Sequence, residues 1–239
     1  MIKESIPKKL LKLITEEEIL IFKELQRRIQ EFNNKHNLTR LIEGDDYWIS
    51  QVYDSIWPFK ENSNINFDKK KFIDIGSGCG FPGFAFAITH PNSDIYLVDS
   101  SKKKTDSLKE IIKRINFKNN IFVINDRIEN LARQSLFRNS FNIATARAVS
   151  NPSTVSEYIL PMLSEHGLGI LYCGKWGHQE NKNLEQTLKV LEGKIVETKS
   201  NLLPREKGIR NVIFIEPKTS CPEIYPRSIG KPEKYPLKG

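Results

Sequence analysis

From about residue 70 onward, short apolar runs alternate with amphipathic stretches. Such runs are typical of strands buried in a parallel sheet, and amphipathic stretches such as Thr105–Ile115 predict helices. The last two runs follow one another as a hairpin would, which predicts an antiparallel edge. The predicted strands are Phe72–Ile75, Ile95–Val98, Ile121–Ile124, Phe141–Thr145, Gly169–Cys173, Lys194–Lys199 and Asn211–Glu216. This pattern predicts the α/β class, with a doubly wound, seven-stranded, mostly parallel sheet.

The first 60 residues have a helical pattern instead. Thr15 and Glu18 have the spacing of a capping box, and the apolar residues after them recur at intervals of three and four. A second helical stretch, Asp46–Ile56, leads to a break predicted at Trp57–Pro58. We therefore expect an N-terminal helical extension that packs on the sheet.

The final stretch, Pro217–Gly239, is rich in proline and in basic residues. Proline at this density prevents a helix or a central strand. The stretch is therefore predicted to be an extended basic arm or a disordered tail, and the sequence favours neither. The competing view is that it packs as a structural strap over the sheet. The chain is expected to have three parts: the helical extension over residues 1–60, the core over residues 61–216 and the arm over residues 217–239.

Composition narrows the classes of function. The chain has 239 residues, of which 38% are apolar and 28% charged, with a mean hydropathy of −0.45 and no apolar run long enough to cross a bilayer. Its three cysteines form no Cys-x-x-Cys pair, which favours a reducing cytoplasm and disfavours a cysteine-rich zinc site. No histidines have metal-ligand spacing, so no metal is expected. The net charge of +8 is compatible with a polyanionic partner without requiring one.

The most informative segment is the turn that follows the first predicted strand. The strand contains Asp74, and glycines then alternate at Gly76, Gly78 and Gly80. Glycine lets the backbone turn sharply and approach a ligand, and the next helix offers free N–H groups. The turn therefore predicts a nucleotide cradle at the carboxyl end of this strand.

Two cofactors compete for this turn. Residues 78–83 match the dinucleotide pattern Gly-x-Gly-x-x-Gly, but in register with the strand Phe81 replaces the third glycine, which close helix packing requires. The form Asp-x-Gly-x-Gly-x-Gly resembles motif I of class I (Rossmann-like) methyltransferases, which bind S-adenosyl-L-methionine. Asp99, at the end of the second strand, could accept hydrogen bonds from both ribose hydroxyls or cap a helix. Together with the glycine turn, it favours ligand binding.

Several blocks of sequence together resemble the RsmG (GidB) family, and the resemblance covers most of the chain. The matching blocks are Asn37-Leu38-Thr39, Asp54-Ser55-Ile56, residues 74–83, Asp99-Ser100 with Lys103, Arg127-Ile128-Glu129, Arg147-Ala148, and Tyr225-Pro226-Arg227 with Gly230, Pro232 and Pro236-Leu237, which resemble the basic C-terminal arm of many members. Three positions depart from the family pattern: Gln51 replaces a histidine, Lys104 replaces an arginine, and Trp176 is inserted between a lysine and a glycine.

The resemblance implies an S-adenosyl-L-methionine-dependent enzyme that methylates guanine N7 in 16S rRNA. It implies 16S rRNA or the small ribosomal subunit as partner, a cytoplasmic location, no membrane and a monomer. Guanine N7 carries a lone pair in the neutral base, so no catalytic base is assigned. The family's cofactor contacts correspond to Gly76, Phe81, Ile128, Glu129 and Arg147, to which the turn itself adds Gly78, Gly80 and Asp99.

Two alternatives of other classes remain. One is a ribosome-binding or RNA-binding module that keeps the fold without activity, and the other is a nicotinamide-dependent dehydrogenase, which Phe81 disfavours. Basic residues in Lys102–Lys118 and in the arm are candidates for RNA contact. The cofactor pocket is expected to lie within residues 74–147, so removing the arm should leave cofactor affinity nearly unchanged.

Overall fold

A seven-stranded sheet with the strand order β3-β2-β1-β4-β5-β7-β6 forms the centre of the molecule. The computed structural model describes residues 6–61 and 66–237. Residues 1–5 of the predicted extension and Lys238 and Gly239 of the predicted arm therefore lie outside the described residues. The strands are β1 (Lys71–Ile75), β2 (Asp94–Asp99), β3 (Ile121–Asn125), β4 (Phe141–Arg147), β5 (Leu163–Cys173), β6 (Gly193–Leu202) and β7 (Ile209–Pro217).

The predicted sheet topology is confirmed. Strands β1 to β5 pair in parallel, whereas β7 runs antiparallel to both β5 and β6. Strand β5 begins earlier than predicted because Leu163 already pairs with Phe141, before a register shift in β4. This early part contains the polar residues Ser164, Glu165 and His166, so the pattern of apolar residues does not predict it as a strand. The order changes direction at β1 and β4, which places the topological switch point between their carboxyl ends.

Helices cover both faces of the sheet. They are α1 (Lys8–Leu11), α2 (Glu16–His36), α3 (Asp54–Lys60), α4 (Gly83–Thr89), α5 (Lys102–Lys113), α6 (Ile128–Leu131), α7 (Pro152–Ile159), α8 (His178–Val190) and α9 (Lys231–Lys234). A π-helical stretch, Asp46–Tyr53, leads into α3, and a 3₁₀ turn, Leu160–Met162, follows α7. Because side chains alternate along a strand, Phe72 packs with the N-terminal helices and Ile73 with α7 and α8.

The N-terminal helices share a core with one face of the sheet. The predicted capping box forms at the start of α2, where the Thr15 hydroxyl accepts from the Glu18 N–H at 3.2 Å and the Glu18 carboxylate accepts from the Thr15 N–H at 2.7 Å. The break predicted at Trp57–Pro58 is wrong, since α3 continues to Lys60. Pro58 lies in the first turns after the π-helix becomes an α-helix, where the pattern of backbone hydrogen bonds changes. The aromatic residues beside it, Trp57 and Phe59, are buried.

The described part of the predicted arm packs on the other face of the molecule. We call residues 218–237 the C-terminal strap. The guanidinium of Arg227 donates three hydrogen bonds, of 2.6, 2.9 and 3.1 Å, to the carboxylate of Glu157 on α7, and the Arg227 backbone N–H donates a fourth at 2.8 Å. The Glu157 side chain is fully buried. Arg138 donates to the carbonyls of Tyr225 at 2.8 Å and Cys221 at 2.7 Å. For the described residues, both the extended arm and the disordered tail are therefore wrong.

The strap is held by side chains that lie far from it in sequence. Its backbone is bonded by Arg138, by Thr154 of α7 and by Thr187 of α8. Because these partners are so distant in sequence, the composition of the strap alone does not indicate that its backbone is hydrogen-bonded. The division of the chain at residues 60 and 216 stays a prediction.

We expect Arg227→Ala to lower the free energy of unfolding by about 3–5 kcal/mol, because it leaves the Glu157 carboxylate buried without its partner. Urea denaturation measures the loss. Lys231→Ala, at an exposed side chain of the same strap, is the matched control and should change stability by less than about 0.5 kcal/mol. Equal effects of the two variants would contradict a buried ion pair at Glu157.

A second prediction concerns His90, whose ring stacks on Phe86 at 4.3 Å. Burial lowers the pKa of His90 to about 4, from an ordinary 6.5. Between these values the unfolded chain binds the proton and the folded chain does not, so stability rises with pH from about 4 to 6.5, by about 3 kcal/mol. Denaturation of wild type and His90→Gln across this range should show the rise in their difference, and parallel curves would refute it.

Candidate cofactor site

The glycine turn leaves β1 in a left-handed conformation. The N–H groups of Gly76 and Ser77 both donate to the carbonyl of Val98, at 2.8 and 3.0 Å, which fastens the turn to β2. The φ angles are +71° at Gly76, +56° at Gly78 and +98° at Gly80, a region that side-chain-bearing residues rarely adopt. A Cβ at Gly76 would lie 2.6 Å from the Val149 side chain. The turn therefore requires glycine both for its conformation and for its space.

Asp74 stabilises this turn from below. Its fully buried carboxylate accepts from the Gly83 N–H at 3.0 Å and from the Thr145 hydroxyl at 3.3 Å. Burial raises the pKa of Asp74 to about 6, against the lowering effect of the Gly83 hydrogen bond. The acid of the motif thus joins β1, β4 and the start of α4, and holds the turn in place.

Asp99, at the end of β2, holds the other side of the turn. One carboxylate oxygen accepts from the Gly78 N–H at 2.9 Å, and the other accepts from the N–H of Ser101, which precedes α5, at 2.8 Å. Each carboxylate oxygen has a second lone pair, so these contacts leave Asp99 able to accept from a ligand.

A cavity that we call the β2–β3 cavity has a volume of about 290 Å³ and lies at the carboxyl ends of β1, β2 and β3. Gly76, Asp99 and Ile128, three of the residues predicted to bind the cofactor, line it. Tyr158 of α7 and Glu233 of α9 line it as well. The wall of this cavity extends beyond residues 74–147, because α7 and the strap supply part of it, whereas the cofactor pocket was expected to lie within those residues.

A second cavity, which we call the Arg147 cavity, has a volume of about 480 Å³. Gly78, Phe81 and Arg147 line it, so the predicted residues are divided between two cavities. The residues that line both are Gly76, Lys104 and Ala148, which shows that the cavities adjoin at the turn. The described residues that line either cavity do not include Gly80, whose added Cβ would meet the Phe84 ring at 2.2 Å.

Arg147 is engaged by the segment that precedes α3. Its guanidinium donates to the Ser50 carbonyl at 2.8 Å, to the Gln51 side chain, and to Asp54 at 3.4 Å. Thus Gln51, at the position that departs from the family pattern, is a direct partner of Arg147. The contacts tie the end of β4 to the N-terminal helices rather than leaving Arg147 open to the β2–β3 cavity.

Asp54 also pairs with a second arginine of the Arg147 cavity, Arg210. Its buried carboxylate also accepts from Nε of Arg210, on β7, at 3.1 Å. Sequence reasoning missed Arg210 because it lies more than 150 residues from Asp54, on an edge strand with no motif around it. The charge of Asp54 was visible in the sequence, but its two arginine partners were not.

Glu129 differs from its sequence-based expectation. Without the family pattern it would be a solvent-exposed helix residue, but it is 1% exposed. Its carboxylate accepts from Arg127 at 2.9 Å and from the Gly230 N–H of the strap at 3.0 Å. Among the described residues lining either cavity, Ile128 is present and Glu129 is absent. Glu129 therefore supports the wall of the β2–β3 cavity from behind.

Within residues 6–61 and 66–237, no group of histidine, cysteine or acidic side chains is arranged to hold a metal ion. Over the same residues, no helix has the length and apolar character needed to cross a membrane. Cys173 lines the Arg147 cavity, and burial raises the pKa of its thiol to about 12. This thiol is therefore protonated at neutral pH and is a poor nucleophile.

Comparison with known structures gives the fold. The chain is similar to the 1,6-didemethyltoxoflavin-N1-methyltransferase of Burkholderia thailandensis, with a TM-score of 0.52 and 11% identity over 87% of this chain and 92% of that one. It is also similar to the Aeropyrum pernix fibrillarin solved with S-adenosyl-L-methionine, with a TM-score of 0.50 and 13% identity over 62% and 66% of the two chains. At this identity the likeness shows the Rossmann-like methyltransferase fold.

Sequence comparison gives the family. The family model described as rRNA small subunit methyltransferase G matches residues 18–208. A protein of Prochlorococcus marinus subsp. pastoris named ribosomal RNA small subunit methyltransferase G is 81% identical over all of both chains. A second, from Prochlorococcus marinus strain NATL1A, is 46% identical over 93% of this chain and 90% of its own. The chain therefore belongs to the rRNA small subunit methyltransferase G (GidB) family.

Proposed function

We propose that this protein transfers a methyl group from S-adenosyl-L-methionine to N7 of a guanine in the 16S rRNA of the small ribosomal subunit. The assignment of the cofactor is supported by the left-handed glycine turn, which Asp99 fastens and which opens on two adjoining cavities at the switch point. The assignment of guanine N7 in 16S rRNA as the methyl acceptor is supported by membership of the family.

The two cavities fit the parts of this cofactor. The β2–β3 cavity offers the Asp99 carboxylate, which suits the ribose hydroxyls, beside the apolar surface of Ile128, which suits the adenine ring. A Cβ at Gly78 would meet no atom nearer than 3.8 Å, so the turn leaves room for a ligand above it. The amino-acid part of the cofactor would then extend along the turn into the Arg147 cavity.

The predicted cofactor residues divide into two roles under this proposal. Gly76, Gly78, Phe81, Asp99 and Ile128 line the cavities and would touch the cofactor. Arg147 lines a cavity as well, but its guanidinium is held by Ser50, Gln51 and Asp54, so its main role would be to position the end of β4 against the segment before α3. Gly80 and Glu129 line neither cavity and would position the other residues, Gly80 by its packing and Glu129 through the strap.

The reaction needs little chemistry from the side chains. S-adenosyl-L-methionine supplies a methyl group activated by its positive sulfur. Since guanine N7 has a lone pair, the chain need not remove a proton, and its contribution is to hold the two reactants in line and to exclude water, which can supply up to about 7–11 kcal/mol. The protonated thiol of Cys173 agrees with a reaction that uses no cysteine nucleophile.

The Arg147 cavity is the natural entrance for the guanine, because it adjoins the turn and is lined by Lys104 and Arg210 as well as Arg147. Arg147 and Arg210 share the single carboxylate of Asp54, so together with Lys104 they leave a surplus of positive charge that favours the approach of RNA. Part of the basic face of α5 is engaged elsewhere, since Lys102 pairs with Asp106 at 3.1 Å and Lys113 with Glu110 at 2.7 Å. Because ribosomal RNA is the substrate, we infer action in the cytoplasm, and we expect a monomer.

We expect Asp99→Ala to weaken the binding of S-adenosylhomocysteine by about 1.5–3 kcal/mol, because the ribose loses a charged acceptor and the turn loses its bond at Gly78. Calorimetry on the folded variants measures the loss. Asp94→Ala, at the exposed opposite end of the same strand, is the control and should bind as wild type does. Gly76→Val should bind less well than either, since its side chain would meet Val149.

The methyl acceptor is tested in cells. Ribosomal RNA from cells that lack the gene should contain one N7-methylguanine fewer than RNA from the parent, and the purified protein should restore it with labelled S-adenosyl-L-methionine. The Asp99→Ala protein should restore much less. Identical N7-methylguanine maps from the two strains would contradict the proposed acceptor, while leaving the cofactor assignment to the calorimetry.

A further inference from the structure

The C-terminal strap reaches the β2–β3 cavity. Glu233, on α9 of the strap, lines this cavity together with Tyr158 of α7 and Ile128 of α6. The family model matches residues 18–208, so Glu233 lies outside the matched segment. The family's cofactor contacts, as carried over from the sequence, do not include Glu233, and its place in the cavity wall therefore needs an explanation of its own.

Two buried contacts just before Glu233 fix the position of its backbone. Three residues before it, the Gly230 N–H donates to the buried carboxylate of Glu129 at 3.0 Å. Immediately before it, the Pro232 carbonyl accepts from the fully buried hydroxyl of Thr154 at 3.0 Å. These contacts hold the backbone of α9 against the cavity. The place of Glu233 in the cavity wall is therefore fixed by hydrogen bonds between the strap and the buried residues beneath it.

The carboxylate of Glu233 is open to a ligand. The hydrogen bonds and ion pairs found between the described residues include none to this carboxylate, whereas Asp99 is bonded to the turn and Asp126 to the N–H of Arg127 at 2.7 Å. The negative charge of Glu233 acts on Tyr158, another residue of the cavity wall. Burial raises the pKa of Tyr158, and the carboxylates of Glu129 and Glu233 raise it further. Glu233 and Tyr158 both line the cavity, together with Ile128 of α6.

We infer that Glu233 accepts a hydrogen bond from the exocyclic amine of the cofactor's adenine, and that the strap thereby selects an adenosine cofactor. The inference rests on the proposed function, in which Asp99 takes the ribose hydroxyls. The amine is then the remaining donor of the adenosine, and Ile128 and Tyr158 offer the surfaces between which a purine ring fits. A purine with a carbonyl at that position would place an acceptor against the carboxylate and be rejected.

Two nucleosides separate this contact from a general effect of the strap. Calorimetry compares S-adenosylhomocysteine with S-inosylhomocysteine, which carries a carbonyl in place of the amine. Wild type should prefer the adenosyl compound by about 10- to 100-fold, and Glu233→Ala should lose most of that preference by binding the adenosyl compound less well. Glu223→Ala, which removes an exposed carboxylate from the same strap away from the cavity, should keep the preference.

Melting temperatures show that the variants remain folded, which the exposed position of Glu233 leads us to expect. An unchanged preference in Glu233→Ala would overturn the inference. So would an equal loss of affinity for both nucleosides, or a preference that Asp126→Asn abolishes and Glu233→Ala retains. Wild-type protein that binds neither nucleoside would instead contradict the cofactor assignment, and this inference would fail with it.

Discussion

The site depends on the hydrogen bonds that fix the glycine turn at the end of β1. Val98 accepts from two N–H groups of the turn and Asp99 from a third, so β2 holds the turn in a left-handed path. Asp74 fastens its far end to α4. With these bonds in place, the space above the turn stays open between the strand ends. The two cavities adjoin at this turn, so their shared wall depends on these hydrogen bonds.

Buried carboxylates extend this arrangement to the rest of the chain. Asp54 joins β4 and β7 to the N-terminal helices through Arg147 and Arg210. Glu157 and Glu129 join the strap to α7 and α6. A carboxylate taken from water needs a partner, so each of these contacts also fixes where a distant segment must lie. The segments added before and after the sheet are thereby part of the site's framework.

The sheet could be predicted from the sequence because its signal is local. The alternation of apolar runs gave the order of strands along the chain, and the turn with Asp99 gave the cofactor edge. A packed strap was only one of the alternatives, and its contacts could not be predicted, since Arg227 reads as one more charge in a basic tail until Glu157, 70 residues away, is found beneath it. Glu129 and Arg147 were found through the family pattern, yet their hydrogen bonds indicate that they position other residues. Gly80 likewise packs against Phe84 behind the turn.

The central claim is that the glycine turn holds the cofactor with its ribose on Asp99. A crystal structure of the protein with S-adenosylhomocysteine tests it most directly. The account predicts both ribose hydroxyls within hydrogen-bond distance, about 2.5–3.0 Å, of the Asp99 carboxylate, with the adenine beside Ile128. A nucleoside bound elsewhere, or one whose ribose leaves Asp99 bonded only to Gly78 and Ser101, would contradict it.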